Sequence, residues 1–151
     1  MTLENAIRIA LDAHTGVLDK SNQYYILHPL TVMFRVGEKT NQNEEAMQAA
    51  VLHDVVEDTD ITLEELRRLG FSRTVVDAVD SVTKRDGEDY FDFVKRSSQN
   101  SYGRIIKTED IKHNMDITRL INRGSLKEKD FKRLEKYANA YDYLVGGRLN
   151  V

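Results

Sequence analysis

The sequence predicts an all-α fold, a compact bundle of about eight helices that forms a single domain over residues 1–151. Apolar residues recur at helical spacing along nearly the whole chain, whereas the alternation typical of strands is weak. Two segments begin with Ser or Thr followed three residues later by Glu, which is the capping-box pattern of a helix start. A length of 151 residues is ordinary for one domain, and neither a repeat nor a linker is visible.

The first three helices are predicted from the N-terminal third of the chain. The first covers residues 2–17, with Thr2 as its candidate N-cap. After a loop, the second begins at His28-Pro29. Proline is tolerated there because an N–H in the first helical turn would have no hydrogen-bond partner within the helix. The third covers residues 43–57 and is so apolar that we expect it to be the buried central helix.

The later helices are predicted mainly from their caps. Thr62 and Glu65 form a capping box before a short helix that Gly70 ends. Ser72 begins another helix that continues to about residue 84. The remaining predicted helices cover residues 88–98, residues 101–121 and a last segment that follows the capping pair Ser125 and Glu128 and ends at Gly146-Gly147.

The composition excludes several classes of protein. A net charge of −3 and a pI of about 5.8 lack the basic character of a nucleic-acid binder. The chain has no cysteine, so disulfides and thiolate–metal sites are excluded, and any metal must bind nitrogen and oxygen ligands. No signal peptide or membrane-length apolar run is visible. We therefore expect a cytoplasmic protein without nucleic-acid or membrane partners.

The segment LHDVVEDT, residues 52–59, is the most informative for function. On one helix, His53, Asp54, Glu57 and Asp58 would lie at relative angles of about 0°, 100°, 40° and 140°, on one side of an otherwise apolar element. Burying three carboxylates and an imidazole together is unfavourable unless a divalent cation compensates their charge. The segment therefore favours a metal site.

The alternative for this segment is a solvent-exposed acidic helix end. Glu57 and Asp58 fit that alternative well, because helix ends are often charged. His53 and Asp54 fit it poorly, because they directly follow the apolar residues 49–52. The metal site is therefore the better interpretation of the whole segment.

Two further segments contribute polar residues. His28 lies in YYILHPL, where a histidine could simply cap the helix, and Asp110 lies in IKTEDIKHNMD on one helical face with Lys107 and Asn114. Together with the first segment they supply two nitrogen and two oxygen donors from three separate helices. Such a set suits Mn²⁺, Fe²⁺ or Zn²⁺ and leaves positions for water and substrate. The predicted metal ligands are His28, His53, Asp54 and Asp110.

These residues resemble the HD superfamily of metal-dependent phosphohydrolases, in which a histidine, an HD pair and a distant aspartate occur in this order. More narrowly, the chain resembles the hydrolase domain of RelA/SpoT proteins and the small stand-alone alarmone hydrolases. Four pieces of the sequence correspond to the motifs of that branch, and they are residues 13–16, residues 25–29, residues 52–59 and residues 107–114.

The resemblance implies an all-α HD-domain fold, a divalent ion that is usually Mn²⁺, and hydrolysis of the 3′-pyrophosphate of ppGpp or pppGpp. It implies that Glu57 and Asp58 position and activate the attacking water. Lys20 and Asn114 correspond to positions near the nucleotide, and Lys107 is a further candidate for neutralising phosphate charge. The expected partner is thus a small nucleotide, and the oligomeric state stays open.

The departures from the family pattern fall on the nucleotide side. The branch has an arginine where this chain has Asp19, at a position expected to stack on the base. The branch also has NMRT where this chain has residues 114–117, ending in Ile117. Two alternatives therefore remain, an HD phosphohydrolase acting on another nucleotide or phosphorylated metabolite, and an inactive metal- or nucleotide-binding module.

The remaining charged and aromatic groups are given structural roles. We expect His14 to be structural rather than a ligand, and His113 to be exposed or supporting. Tyr24, Tyr25, Tyr90 and Tyr102 are expected to lie mostly in the core or pocket wall. The charge-rich residues 127–136 are expected to form the solvated face of the last helix.

Overall fold

Ten α-helices form the regular structure of the computed structural model, which describes residues 1–121 and 126–146, apart from the side chains of residues 120 and 121. They are α1 (Leu3–Ala13), α2 (Leu27–Lys39), α3 (Glu44–Val51), α4 (Val55–Asp58), α5 (Leu63–Arg68), α6 (Arg73–Val82), α7 (Tyr90–Gln99), α8 (Ser101–Asn114), α9 (Ile117–Ile121) and α10 (Glu128–Gly146). Within these described ranges no strand occurs, and the all-α prediction is confirmed.

The helix count exceeds the expected eight because two predicted helices are each interrupted. The predicted central helix stops at α3, and a tight turn over residues 52–54 precedes α4. The helix predicted over residues 101–121 breaks at Asp116, whose carboxylate accepts the Thr118 N–H over 3.0 Å and begins α9. Side chains that bond to nearby backbone groups in this way compete with helix continuation.

The predicted caps are present wherever the structure describes them. Thr2 caps α1 in a capping box with Asn5, and Thr62 and Glu65 form the capping box of α5. Ser72 caps α6. Helix α1 ends at Ala13, shorter than expected, and the last helix reaches Gly146. Ser125 and Gly147, which belong to the predicted start and end of the last helix, lie outside the described residues.

Helix α3 lies in the centre of the main hydrophobic core, as predicted. Every residue of α3 from Ala46 to Val51 is buried, and α3 contacts α1, α2, α6 and α8. A smaller cluster joins α7, α8 and α10 through Val94, Ile111, Ala140 and Leu144. Helix α8 contributes Ile106 to the main core and Ile111 to the smaller cluster, which holds the intervening Asp110 between the two.

None of the helices within the described ranges combines the length and the apolar composition that crossing a membrane requires.

Candidate metal centre

Four donor atoms from three parts of the chain converge in the interior. His28 lies in the first turn of α2, His53 and Asp54 lie in the turn between α3 and α4, and Asp110 lies on α8. His28 Nε2 lies 3.2 Å from Asp110 Oδ1 and 3.6 Å from Asp54 Oδ2. His53 Nε2 lies 2.9 Å from Asp54 Oδ2 and 4.0 Å from Asp110 Oδ1.

These separations match those between ligands of one divalent ion. Nitrogen and oxygen ligands each lie about 2.1 Å from such an ion, which places two of them about 3.0 Å apart at a right angle and about 4.2 Å apart on opposite sides. The four measured distances fall within or close to that interval. Ligand atoms of His28, His53 and Asp54 all lie within 4.8 Å of one another, and Asp110 approaches this group through the two histidines.

The ring orientation of His53 directs one nitrogen at the backbone and the other at the carboxylates. His53 Nδ1 lies 2.8 Å from the carbonyl oxygen of Ala50, so Nδ1 carries the proton and donates it. The other nitrogen, Nε2, is buried and makes no hydrogen bond with any described residue, although Asp54 is close. A buried nitrogen without a hydrogen-bond partner, facing carboxylates, is the arrangement found in histidine ligands of metals.

The charges of the cluster are strongly coupled. Burial alone would raise the pKa of Asp54, but His53 holds it at about 2. Burial would likewise raise the pKa of Asp110, whereas Lys107 and the two histidines hold it well below its ordinary value. Burial would lower the pKa of His53, and the carboxylates of Asp54 and Asp110 raise it to about 9. Both carboxylates are therefore ionised and suited to bind a cation.

Lys107 and Asn114, predicted as substrate contacts, both bind Asp110. Lys107 Nζ lies 2.9 Å from Asp110 Oδ2, and Asn114 Nδ2 donates to Asp110 Oδ1 over 2.6 Å. Their spacing of three and four residues from Asp110 places all three on one face of α8, as the sequence predicts. Both side chains also line the cavity described below, as Asp110 itself does.

Glu57 and Asp58 lie on α4 beside the cluster, and both line the same cavity. Because a turn precedes α4, the acidic residues do not have the relative angles expected for one continuous helix. Asp54, Glu57 and Asp58 nevertheless line one cavity. Burial, followed by the negative charge of Asp54, raises the pKa of Asp58. Glu57 Oε2 accepts the backbone N–H of Lys84 over 2.9 Å, which ties α4 to the segment after α6.

A cavity of about 720 Å³ opens onto the cluster. His28, Asp54 and Asp110 belong to its wall. Its lining also contains five basic side chains from the loop after α1, the segment after α6, α8, α9 and α10, namely Lys20, Lys84, Lys107, Arg119 and Arg133. This mixture of a carboxylate–imidazole cluster and several cations suits an anionic ligand that also contacts a metal.

The positive charges on one side of this cavity are close enough to affect one another. Burial, followed by the charges of Arg133 and Lys84, lowers the pKa of Lys136 on α10. Lys136 Nζ lies 4.3 Å from the ring centroid of Tyr90. The Tyr90 hydroxyl oxygen is buried and has no hydrogen-bond partner among the described residues.

The expectation that residues 127–136 form only a solvated face is wrong for Arg133. Arg133 and Tyr137, one turn apart on α10, line the cavity because α10 packs against α7 and α8. Other residues of this segment are exposed as expected, for example Lys132, which pairs with Glu128. No local pattern in the sequence distinguishes Arg133 from its charged neighbours, so only the tertiary contact identifies it.

His113 and His14 are buried in the structure. His113 Nδ1 lies 2.7 Å from His28 Nδ1, so the supporting role expected for His113 is the one that its position favours. Burial, followed by the charge of Arg119, lowers the pKa of His113 to about 4. His14 Nε2 has no hydrogen-bond partner within the described part of the chain, and its ring packs 4.8 Å from that of Tyr25.

Comparison with known proteins gives a matching family model and several similar sequences. The family model of the HD domain matches residues 6–114. A GTP pyrophosphokinase of Streptomyces coelicolor is 34% identical over 145 residues, which cover 90% of this chain and 17% of the relative. The bifunctional (p)ppGpp synthase/hydrolase SpoT of Escherichia coli K12 is 33% identical over 124 residues, covering 75% of this chain and 17% of that protein. The chain thus spans about one sixth of the length of these relatives.

A solved structure supports the same fold. It is that of a metazoan orthologue of SpoT that hydrolyses ppGpp, and it superposes with a TM-score of 0.78 over 98% of this chain and 87% of that one, at 20% identity. The likeness shows that the two chains share the fold. Since the family model covers more than two thirds of the sequence, the chain belongs to the HD domain family.

Proposed function

We propose that the protein is a metal-dependent phosphohydrolase that removes the 3′-pyrophosphate from ppGpp- or pppGpp-like nucleotides. The observation that carries this proposal is the meeting of two imidazole nitrogens and two carboxylate oxygens, with neighbouring separations of 2.9–4.0 Å, at the wall of a cavity lined by cations. Membership of the HD domain family and the activities named for its relatives support the same reaction.

In this proposal His28, His53, Asp54 and Asp110 hold one divalent ion. Two nitrogen and two oxygen donors without sulfur suit Mn²⁺, which we propose as the resident ion, better than they suit Ca²⁺. When bound, such an ion lowers the pKa of a coordinated water and polarises a phosphoryl oxygen.

Asp58 and Glu57 are the proposed groups that position and deprotonate the attacking water. Neither belongs to the converging donor set, and both line the cavity beside it. The raised pKa of Asp58 makes its carboxylate a better proton acceptor than an ordinary aspartate. Glu57 accepts the Lys84 N–H through Oε2 and lines the same cavity.

The basic side chains of the cavity are proposed to bind phosphate groups. Lys84 lies in the segment after α6, Arg133 lies on α10, and Lys20 lies in the loop after α1. The Tyr90 hydroxyl lacks a hydrogen-bond partner among the described residues and can donate a hydrogen bond to a phosphate oxygen. Lys107 and Asn114 are hydrogen-bonded to Asp110, and their proposed contact with the substrate would be made from there.

The proposed reaction transfers the pyrophosphoryl group to water. The water oxygen forms a bond to the phosphorus atom attached to the ribose 3′ oxygen, and the bond between that phosphorus and the 3′ oxygen breaks. The water gives one proton to Asp58 or Glu57, the 3′ oxygen takes up a proton, and pyrophosphate and a 5′-phosphorylated nucleoside leave.

A second candidate is hydrolysis of another nucleotide or phosphorylated metabolite by the same site. One observation favours it. Arg119 Nη2 lies 2.8 Å from Asp19 Oδ2 in the cavity wall, so a paired carboxylate occupies the position at which the sequence resemblance implies an arginine. This pairing changes the surroundings of the nucleoside and leaves the donor cluster intact.

The experiment is a turnover assay of the purified protein with Mn²⁺. The substrates are ppGpp, pppGpp, adenosine analogues and common mono-, di- and triphosphates, with products separated by ion exchange and an Asp54→Asn variant as control. Release of pyrophosphate from ppGpp by the wild type alone supports the proposal. Turnover of another nucleotide alone supports the second candidate. Metal binding without any turnover supports an inactive binding module.

Two further expectations from the sequence stay predictions, namely the single domain over residues 1–151 and the cytoplasmic location.

A further inference from the structure

A chain of polar contacts leads from the cavity wall to the candidate ligand His28. Arg119 Nη2 lies 2.8 Å from Asp19 Oδ2. Arg119 Nη1 lies 3.1 Å from His113 Nδ1 and donates to the carbonyl oxygen of His113 over 3.1 Å. His113 Nδ1 lies 2.7 Å from His28 Nδ1. Ser21 holds the far end, since its hydroxyl donates to the Arg119 carbonyl oxygen over 2.6 Å.

The first donor in this chain fixes the direction of the others. A guanidinium group has only N–H donors and no acceptor. His113 Nδ1 must therefore present a lone pair to Arg119, which places the His113 proton on Nε2. His28 Nδ1 faces the same lone pair over 2.7 Å, so His28 Nδ1 carries a proton and donates it.

The consequence for His28 concerns its other nitrogen. With Nδ1 protonated, a neutral His28 has its lone pair on Nε2, which lies 3.2 Å from Asp110 Oδ1 and 3.6 Å from Asp54 Oδ2. This nitrogen is directed at both carboxylates, so a cation bound between them would meet its lone pair. Metal-binding histidines are commonly fixed by such a hydrogen bond from the nitrogen that is not the ligand.

We propose that Asp19 and Arg119 are positioning residues that act through His113 to hold His28 in the tautomer that binds metal through Nε2. This inference rests on the proposed metal site. Asp19 orients the guanidinium, Arg119 sets the proton of His113, and His113 sets that of His28. None of these three residues belongs to the proposed donor set, so their effect would be on the affinity of the site.

Burial makes this path necessary. His28 and His113 are 4% and 8% exposed, and the Arg119 side chain is 20% exposed. The planes of the two imidazole rings lie within 10° of each other and their centroids are 4.9 Å apart, so the two Nδ1 atoms meet edge to edge. Water has little access to the nitrogens that meet between them, so no solvent donor readily replaces Arg119.

The first test uses the variants Arg119→Met and Asp19→Asn. Arg119→Met keeps a long apolar side chain and removes the donors, whereas Asp19→Asn keeps the shape and an acceptor oxygen and removes the charge. Arg35→Met is the matched control, because Arg35 acts on His113 through its charge and no hydrogen bond between the two occurs in the described structure. Mn²⁺ alone is titrated calorimetrically into each metal-free protein.

We expect Arg119→Met to weaken Mn²⁺ binding about 10- to 100-fold, Asp19→Asn to weaken it less, and Arg35→Met to leave it unchanged. The second readout is the ¹⁵N chemical shift of the histidine rings in metal-free protein, above the ordinary histidine pKa of about 6.5. The wild type should show His113 protonated on Nε2 and His28 on Nδ1, and Arg119→Met should lose this preference.

Wild-type Mn²⁺ affinity together with unchanged tautomers in Arg119→Met would overturn the inference. If Arg119→Met fails to fold, the same comparison is made with Asp19→Asn, where an unchanged affinity and unchanged tautomers overturn it. If the wild type binds no Mn²⁺, the proposed function fails, and the tautomers of the metal-free wild type still decide the inference. His113 protonated on Nδ1 would then contradict it.

Discussion

The hydroxyl group of Tyr25 donates a hydrogen bond to Oδ2 of Asp54 over 2.5 Å. The same carboxylate oxygen lies 2.9 Å from His53 Nε2, so it is oriented from one side by a hydroxyl group and faces an imidazole nitrogen on the other. Tyr25 belongs to the loop before α2, three residues before His28. One short segment thus supplies a candidate ligand and also fixes the orientation of another, before any ion binds.

Metal binding should stabilise the protein measurably. At a free Mn²⁺ concentration of 100 times the dissociation constant, the free energy of unfolding rises by about 2.7 kcal/mol, which corresponds to an increase in Tm of about 5–11 °C for a chain of this size. Thermal melts with Mn²⁺ and with EDTA measure this difference. Asp54→Asn preserves the side-chain volume and should abolish the increase. A Tm of this variant that still responds to Mn²⁺ would contradict the assigned role of Asp54.

Asp58 and Glu57 should affect turnover without affecting the metal. Asp58→Asn should lower kcat about 10²- to 10⁴-fold, the usual contribution of a general base, and Glu57→Gln should also lower it strongly. Calorimetric Mn²⁺ titration of both variants should give the wild-type affinity, because neither carboxylate belongs to the donor set. A fully active Glu57→Gln variant would show that the base is not Glu57.

Removing the Tyr90 hydroxyl should cost activity and leave the fold intact. A buried hydroxyl without a partner is unfavourable by about 1–3 kcal/mol, so Tyr90→Phe should be as stable as the wild type or more stable. If the hydroxyl binds a substrate phosphate, KM should rise about tenfold, which is the loss of one hydrogen bond to a charged group. Tyr141→Phe, on α10 outside the cavity, is the control. Equal kinetics for both variants would exclude a substrate contact by Tyr90.

Arg133 and Lys132 are neighbours on α10 that should differ in effect. Arg133 lines the cavity, whereas Lys132 is 74% exposed and pairs with Glu128. Arg133→Met should raise KM for a phosphorylated substrate about tenfold through the loss of a charge-assisted contact, and Lys132→Met should change it little. Steady-state kinetics at two salt concentrations measure the difference, which should shrink at high salt. An equal change in both variants would indicate only a general effect of net charge.

The candidate site could be predicted from the sequence because each of its parts is local. His53 and Asp54 are adjacent and follow an apolar run, and the partners of Asp110 lie three and four residues from it on α8. These relationships follow from helix geometry. The assignment of ligand and catalytic roles stays a prediction, whereas the all-α class and the central position of α3 are confirmed.

Other features depend on contacts between distant segments, which a single sequence does not reveal. The break after α3 follows good helix formers, and at this break His53 Nδ1 donates a hydrogen bond to the carbonyl oxygen of Ala50. Arg133 reaches the cavity because α10 packs against α7 and α8. The pairing of Asp19 with Arg119 joins residues 100 positions apart.

An ion pair remote from the donor cluster should make the stability of the protein depend on acid. Arg96 donates to both carboxylate oxygens of Glu88 over 2.7 and 2.8 Å, and also to the carbonyl oxygens of Asp80, Ser81 and Thr83. This hydrogen bonding by Arg96 lowers the pKa of Glu88 from 4.5 to about 2. It fastens the segment after α6, which includes Lys84, to α7.

The sign of the effect follows from the lowered pKa. Because Glu88 binds its proton less readily in the folded protein than in the unfolded chain, its contribution to stability is complete above about pH 4.5 and is lost as the pH falls toward 2. Glu88→Gln should therefore lower the Tm by a few degrees at neutral pH, and the difference from the wild type should shrink steadily below pH 4.5. Thermal melts at several pH values test this, with Glu64→Gln as control, because Glu64 forms only exposed ion pairs with Arg67 and Arg68. A difference between wild type and Glu88→Gln that stays constant down to pH 2 would show that the ion pair does not contribute through its charge.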